Sequence, residues 1–212
     1  MTKVKKVHIE DMQPVLMIAK YPRATIRFCL MLKPLFYYFF IGIIGVFAMQ
    51  LATIIGTPYP SGFTLGEVVS GALLYSVIVF TISSVISAAV IHIIAKALKG
   101  TAKFKFIYRA ICLANIPFIW ILPILLFWMQ LSPQSYFVVE GSSLSIFENS
   151  LLLIGPFLIF CASIWNLFLI FKSIQEVYRF SLKKSIAVMI LFIVLLVMLT
   201  VATYSMTGLT LI

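Results

Sequence analysis

The chain has 212 residues, 63% of them apolar and only 10% charged, and carries a formal net charge of +10. A soluble domain carries about 25% charged residues, so this composition excludes a water-soluble globule and calls for a hydrocarbon solvent. The cation excess raises nucleic acid as a partner, but no arginine-rich, aromatic-interleaved surface supports it, and none is expected.

The first 33 residues form a basic arm holding Lys3, Lys5, Lys6, Lys20, Arg23, Arg27 and Lys33. With Pro22 in the first turn of a helix, Lys20, Arg23 and Arg27 share one face. Ile26, Cys29, Leu30 and Leu32 supply apolar positions beside it. The expectation is an amphipathic interfacial helix in the inner headgroup layer; a solvated arm that only anchors orientation is the alternative. The first apolar run starts after the arm and is too long for a signal h-region, so no cleavable signal is expected. Five segments then follow, at about 35–55, 68–95, 107–131, 148–171 and 185–206. Each has at least about 20 largely apolar residues, enough at about 1.5 Å per residue to cross a hydrocarbon core of about 30 Å. The expected fold is an all-α integral membrane protein: a cytoplasmic arm (1–33), a five-transmembrane-helix bundle (34–206) and a short external tail (207–212).

Charge sets the orientation. Alternating sides gathers the arm, the loop from Lys96 to Arg109 and the loop from Lys172 to Lys184, which together hold all sixteen Lys and Arg. The other side receives only Glu67, Glu140 and Glu148. By the positive-inside rule the N-terminus is cytoplasmic and the C-terminus outside. On the outer side, Gly56 to Glu67 is rich in turn formers. The stretch from Ser132 to Phe147 keeps Phe137, Val138 and Val139, and either dips into the interface or forms a short hairpin.

Ionisable groups at membrane depth are functional candidates. His92 is the one titratable side chain within an apolar run, four residues before Lys96. A proton relay or ligand contact is the sharp reading. A histidine tying two helices by hydrogen bonds weighs more, because no carboxylate accompanies it. Asn115 and Asn166 each lie six residues inside a cation, Arg109 and Lys172. A buried amide needs partners in hydrocarbon, so a His92–Asn115–Asn166 knot is expected. Ser83, Ser84, Ser87 and Ala88 give small-residue spacing for close helix contact. Pro117 and Pro123 free the carbonyls of Leu113 and Ile119, so the third span should kink twice, and Pro156 should kink the fourth. Freed carbonyls can line an ion site, though here without charge. Trp120, Trp128 and Trp165 read as packing or interfacial anchors.

Cys29, Cys112 and Cys161 lie far apart without CxxC spacing and read as free thiols. Palmitoylation of Cys29 is set against a buried, small apolar role. There is no HExxH, GxSxG, P-loop or GxGxxG motif, and the histidines are His8 and His92 alone. No enzyme activity, cofactor or metal is expected.

The stretch from His92 resembles the Yip-domain family, the Ypt-interacting-protein relatives of eukaryotes and bacteria. His92, Ala97-Leu98-Lys99-Gly100, Phe104 and Ile116-Pro117 stand where members read His, Leu-Leu-Gly-Gly, a Gly-Ser-Phe-like turn and Ile-Pro. Tyr21-Pro22-Arg23-Ala24-Thr25-Ile26-Arg27 resembles the family's Pro-Arg-x-Thr-x-Arg start. Ile164-Trp165, Gln175-Glu176-Val177-Tyr178 and Ser181 to Ala187 resemble its last inner loop. Lys99 and Ala102 stand where the family has glycine, so a hairpin needing positive φ there should be altered. The long cytosolic tail of eukaryotic members is absent, which suggests a bacterial member.

The resemblance implies a non-enzymatic membrane adaptor or scaffold that binds partner membrane proteins, in bacteria as an accessory to an ABC-type export system. Expected partners are the lipid bilayer and other membrane proteins, such as ABC-type exporter subunits, or a second copy; a small GTPase fits only a eukaryotic-type member. The expected location is a bacterial inner membrane, or the ER and Golgi for a eukaryotic member. The candidate contact or packing residues are His92, Gly100, Phe104, Arg109, Asn115, Pro117, Trp165, Asn166 and Glu176. Glu176, the single acid of the inner loops, should clasp Arg109 or a nearby lysine. The alternative function is a small transporter or channel with a polar path near His92, Asn115 and Asn166.

Overall fold

The computed structural model describes residues 13–60, 62–137 and 145–208, and these form nine helices and no strand. Lys3, Lys5, Lys6, His8, Glu140, the hairpin option around Val138 and Val139, and the tail beyond 208 lie outside the described residues. The arm forms α1 (Pro14–Lys20) and α2 (Pro22–Leu32), each opened by a proline in its first turn, where the missing N–H costs nothing. Then come α3 (Leu35–Thr53), α4 (Leu65–Ala97), α5 (Phe104–Ala114), α6 (Ile116–Leu131), the single-turn α7 (Pro133–Tyr136), α8 (Ile146–Tyr178) and α9 (Leu182–Gly208).

Four stretches among the described residues are long and apolar enough to cross a membrane: α3, α4, α5 with α6, and α8. The expected segment 185–206 lies inside α9, a helix of 27 residues.

The two longest helices start earlier than hydropathy suggests, because each opens with a capping box. Thr64 Oγ1 accepts from the Glu67 amide, and a Glu67 carboxylate oxygen accepts from the Thr64 amide at 2.7 Å. Ser145 and Glu148 repeat this at the start of α8, with the return bond at 2.8 Å. Both boxes are written in the sequence as Thr-x-x-Glu and Ser-x-x-Glu.

The basic loops are shorter than expected. α4 ends in a Schellman turn: the Gly100 amide donates to the Ala95 carbonyl at 2.8 Å and the Lys99 amide to Lys96 at 2.9 Å. Lys99 takes the left-handed conformation, φ 65, so the backbone shape survives there without glycine. At the other hairpin α8 runs on past Phe171 to Tyr178, because Ser173, Ile174, Gln175 and Tyr178 are buried where α8 packs on α2 and α5. The expected loop from Lys172 to Lys184 therefore contracts to Arg179–Ser181.

The third span is two helices. Asn115, at φ −78 and ψ −4, separates α5 from α6, and Pro117 occupies the first turn of α6. By contrast α6 runs through Pro123 and α8 through Pro156. Gly45 of α3 faces the break so closely that a Cβ there would lie 2.6 Å from Asn115 Cβ and 2.7 Å from its carbonyl oxygen.

α3 packs on α4 and α6, α5 on α4 and α8, and α9 on α4 and α8. One apolar cluster, around Ile26, Tyr38, Ile91, Ile107 and Ile174, fills the basic half. A second, around Leu51, Phe118, Leu125, Trp128 and Tyr136, fills the other. The arm is docked on this body: Ile18, Ile26 and Cys29 are buried, Trp120 Nε1 donates to the Val15 carbonyl at 3.1 Å, and the Tyr38 hydroxyl donates to the Cys29 carbonyl. At the far end, Tyr136 and Phe137 tuck inward rather than lying exposed. There the Tyr136 hydroxyl donates to the Leu51 carbonyl at 2.7 Å.

Candidate functional site: the basic end of the bundle

Three segments meet at the basic end: α2, the α4–α5 turn and the α8–α9 turn. Arg23 and Arg27, four residues apart on α2, share a face that meets the last turns of α8. An Arg23 Nη donates to Gln175 Oε1, and Arg27 Nε donates to Glu176 Oε1 at 2.6 Å. This hydrogen bond, and then the carboxylate's charge, raise Arg27 above its ordinary value and favour its charged form. Between the two arginines Thr25 is buried and returns its hydroxyl to the Tyr21 carbonyl at 2.8 Å. The Arg-x-Thr-x-Arg and Gln-Glu-x-Tyr stretches, far apart in the chain, are thus two halves of one clasp. Since Arg27 is exposed, the ion pair contributes only about 0.2–1 kcal/mol; its value is in fixing where α2 lies.

The second contact joins α4 to α8. His92 Nδ1 and the Tyr178 hydroxyl are 2.7 Å apart. The His92 ring meets Phe104 edge-on at 5.8 Å, and Tyr178 stacks on Phe180 at 5.4 Å. Gly100 lies against this aromatic group. A Cβ there would come within 2.8 Å of both Tyr178 Cδ1 and the Ala95 carbonyl oxygen. Lys184 closes the group by donating to the Leu98 carbonyl at 3.4 Å, a cation at the carbonyl end of α4.

The asparagines lie deeper. Asn166 Nδ2 donates to the Ala114 carbonyl at 2.7 Å and approaches Asn115 Oδ1 at 3.5 Å. Both asparagines line a cavity of about 320 Å³ together with Gln50, Ser83, Ser84 and Ser87. The rest of its lining is apolar, and no charged side chain reaches it. Arg109 sits over the Tyr38 ring at 5.4 Å, and Trp165 tilts on Phe168 at 4.9 Å. Arg109 Nε and Trp165 Nε1 are buried without a hydrogen-bond partner among the described residues.

The expected three-residue knot is therefore split. Asn115 and Asn166 meet, but His92 bonds Tyr178, which is twelve residues from Asn166 along α8, or about 18 Å of helix. Measuring depth from Arg109 and Lys172 caused the error, since both lie within their helices, α5 and α8, and do not mark the ends. Glu176 likewise pairs with Arg27 rather than with Arg109 or a lysine, because α2 packs against α8 at that level. Arg23, Arg27, Gln175, Tyr178 and Lys184 belong to the site and were not singled out. Each lies within a stretch that carries the family resemblance, Lys184 in Ser181 to Ala187.

Chemically the basic end offers guanidinium and ammonium groups, amide and hydroxyl donors, and aromatic faces. His92 has a phenol and a phenyl ring beside it and no carboxylate. Among the described residues no three His, Cys, Asp or Glu side chains come together as a metal site. No curated protein and no solved structure matches the chain. One family does: the Yip1 domain, over residues 20–204, a range that begins just before the two clasp arginines.

Proposed function

This chain belongs to the Yip1-domain family, a family of membrane proteins not known as enzymes, and from that premise we propose that it is a membrane adaptor. In this reading it crosses the membrane five times, with α9 as the last crossing, the basic end cytoplasmic by the positive-inside rule and the C-terminus outside. The arm (1–33) is part of the cytoplasmic face, 34–206 is the membrane body and 207–212 an external tail. The membrane is the inner membrane of a bacterium, and the partner an integral membrane protein such as a subunit of an ABC-type exporter.

The observation behind this reading is the stitched basic end. α2 and both turns are bound to one another, and Lys96, Lys99, Lys103 and Lys105 are exposed on the result. A preorganised cationic face favours a partner with an acidic one and suppresses mismatched partners. Crosslinking in native membranes should recover a specific partner, and Lys103→Glu with Lys105→Glu should cut its yield by about tenfold, as loss of about 1.4 kcal/mol does. Recovery of the protein only as a lone monomer would sink the adaptor. Impermeant labelling of a cysteine placed at Lys103 tests orientation: reaction from outside the cell reverses the topology.

The cavity at the helix break favours a second reading, a small transporter or channel. Asn115 and Asn166 line that cavity, whereas His92 does not. Flux in liposomes that Asn166→Leu abolishes is its signature; sealed vesicles rule against it.

A further inference from the structure

A cleft of about 500 Å³ lies between α2 and the end of α8, lined by Arg23, Arg27, Arg179, Gln175, Glu176 and Met31, with Phe180 beside them. We propose that it binds a phosphate-ester anion, supplied by the headgroup of an anionic phospholipid. Three guanidinium groups face it against a single carboxylate. Glu176 engages Arg27 through Nε, which leaves that side chain's terminal nitrogens for another acceptor. Gln175 engages Arg23 through one terminal nitrogen and, being neutral, orients it without cancelling its charge. Arg179 takes part in neither bond. It is held at the mouth of the turn in the left-handed conformation, φ 52, which the three-residue link between two long helices imposes. Planar guanidinium forks match phosphate oxygens in pairs, so the clasp that fixes α2 also sets out an anion cradle.

The surroundings point to a lipid as the source of the anion. Met31, at the cleft, is 74% exposed, and Leu32, Leu35 and Phe36 follow it at 63%, 55% and 75%. They carry an apolar strip from the cleft into α3, a helix apolar enough to cross the membrane. A headgroup anion beside exposed apolar residues at a helix entrance is the pattern by which basic pockets hold acidic lipids. The assignment rests on the membrane orientation proposed above, and not on the identity of any partner.

The test is lipid retention by the purified full-length protein in neutral detergent, read by native mass spectrometry against phosphatidylglycerol and phosphatidylcholine. Phosphatidylglycerol should be retained in preference. Arg179→Asn, a residue that tolerates the left-handed conformation, should lower that retention about fivefold, the effect of one basic residue near an anionic surface. Lys105→Gln, outside the cleft, should leave it unchanged. Arg23→Lys with Arg27→Lys keeps the charges but loses the planar forks, and should also weaken retention. Equal retention of the two lipids, or equal losses with Arg179→Asn and Lys105→Gln, overturns the site. Displacement of the lipid by an equal concentration of glycerol 3-phosphate overturns the lipid source and reassigns the cradle to a soluble phosphate ester. A protein that keeps phosphatidylglycerol but yields no crosslinked partner loses the adaptor role and keeps the cleft; the reverse pattern does the opposite.

Discussion

Replacing Asn166 by leucine isolates the cost of the helix break. In an unbroken helix the Phe118 amide would return to the Ala114 carbonyl; here it bonds the Asn115 carbonyl at 3.1 Å. Ala114 is 1% exposed, and Asn166 supplies its carbonyl with a donor at 2.7 Å. Leucine nearly conserves volume, so the substitution removes the hydrogen bond and leaves a buried carbonyl short of a partner. Interhelical bonds in membranes average about 0.6 kcal/mol and reach about 1.7, while an unmet buried acceptor costs about 1–3 kcal/mol. The expected loss is about 1–2 kcal/mol, which at about 2–4 °C per kcal/mol for a chain of this size lowers Tm by about 2–8 °C. Tryptophan fluorescence during thermal unfolding in detergent reads it. A background of Pro117→Ala makes the test specific, because an alanine there lets the helix close and the Phe118 amide reach Ala114. The cost of Asn166→Leu should then fall by at least about half, the coupling expected of two groups serving one carbonyl. An equal cost in both backgrounds, or no measurable shift in either, refutes the reasoning.

Other substitutions probe the basic end. Gly100→Ala should destabilise by about 1–3 kcal/mol, as overpacking does, since one of the two closest atoms it would meet is backbone; a melt matching the parent's contradicts this. Lys99→Gly relieves a left-handed non-glycine residue, a strain of about 1–2 kcal/mol only partly offset by the freer unfolded chain, and should be visible as a higher Tm. A double-mutant cycle of His92→Phe and Tyr178→Phe should give a coupling of about 0.6–1.7 kcal/mol, and strict additivity denies the bond. Burial pushes the Cys29 thiol up to about 12, leaving on the order of one part in ten thousand as reactive thiolate at pH 8. Iodoacetamide at pH 8 should therefore spare Cys29 in the native protein and modify it after denaturation in SDS, as read by peptide mass. Rapid native modification would show the arm to be undocked.

The long apolar helices and the gathering of cations at one end were legible from composition and charge placement alone. Both capping boxes lie in local Thr64/Glu67 and Ser145/Glu148 spacing, yet hydropathy alone starts the spans at 68 and 148 and passes over them. Pro117 announced a defect in the third span. Pro123 and Pro156 announced defects that left their helices continuous, because a proline's missing bond can be absorbed within a packed helix. What could not be read was tertiary. A lysine marks a helix end only if it stands at the end, and Lys172 stands within α8 with its ammonium over the Phe168 and Phe171 rings. Depths counted from it were wrong by nearly two turns, which misplaced Asn166 relative to His92. The docking of α1 was equally hidden, since seven residues from Pro14 to Lys20 give too little periodicity to name a buried face.

The two capping boxes leave the molecule electrically one-sided. Glu67 and Glu148 each bend back onto the first turn of their own helix, so the acids described at the far end are already spoken for. Among the described residues the lysines and arginines all lie at the opposite end, so an anionic ligand finds its counter-charges there, while the far end offers a ligand two hydrogen-bonded carboxylates amid an apolar surface.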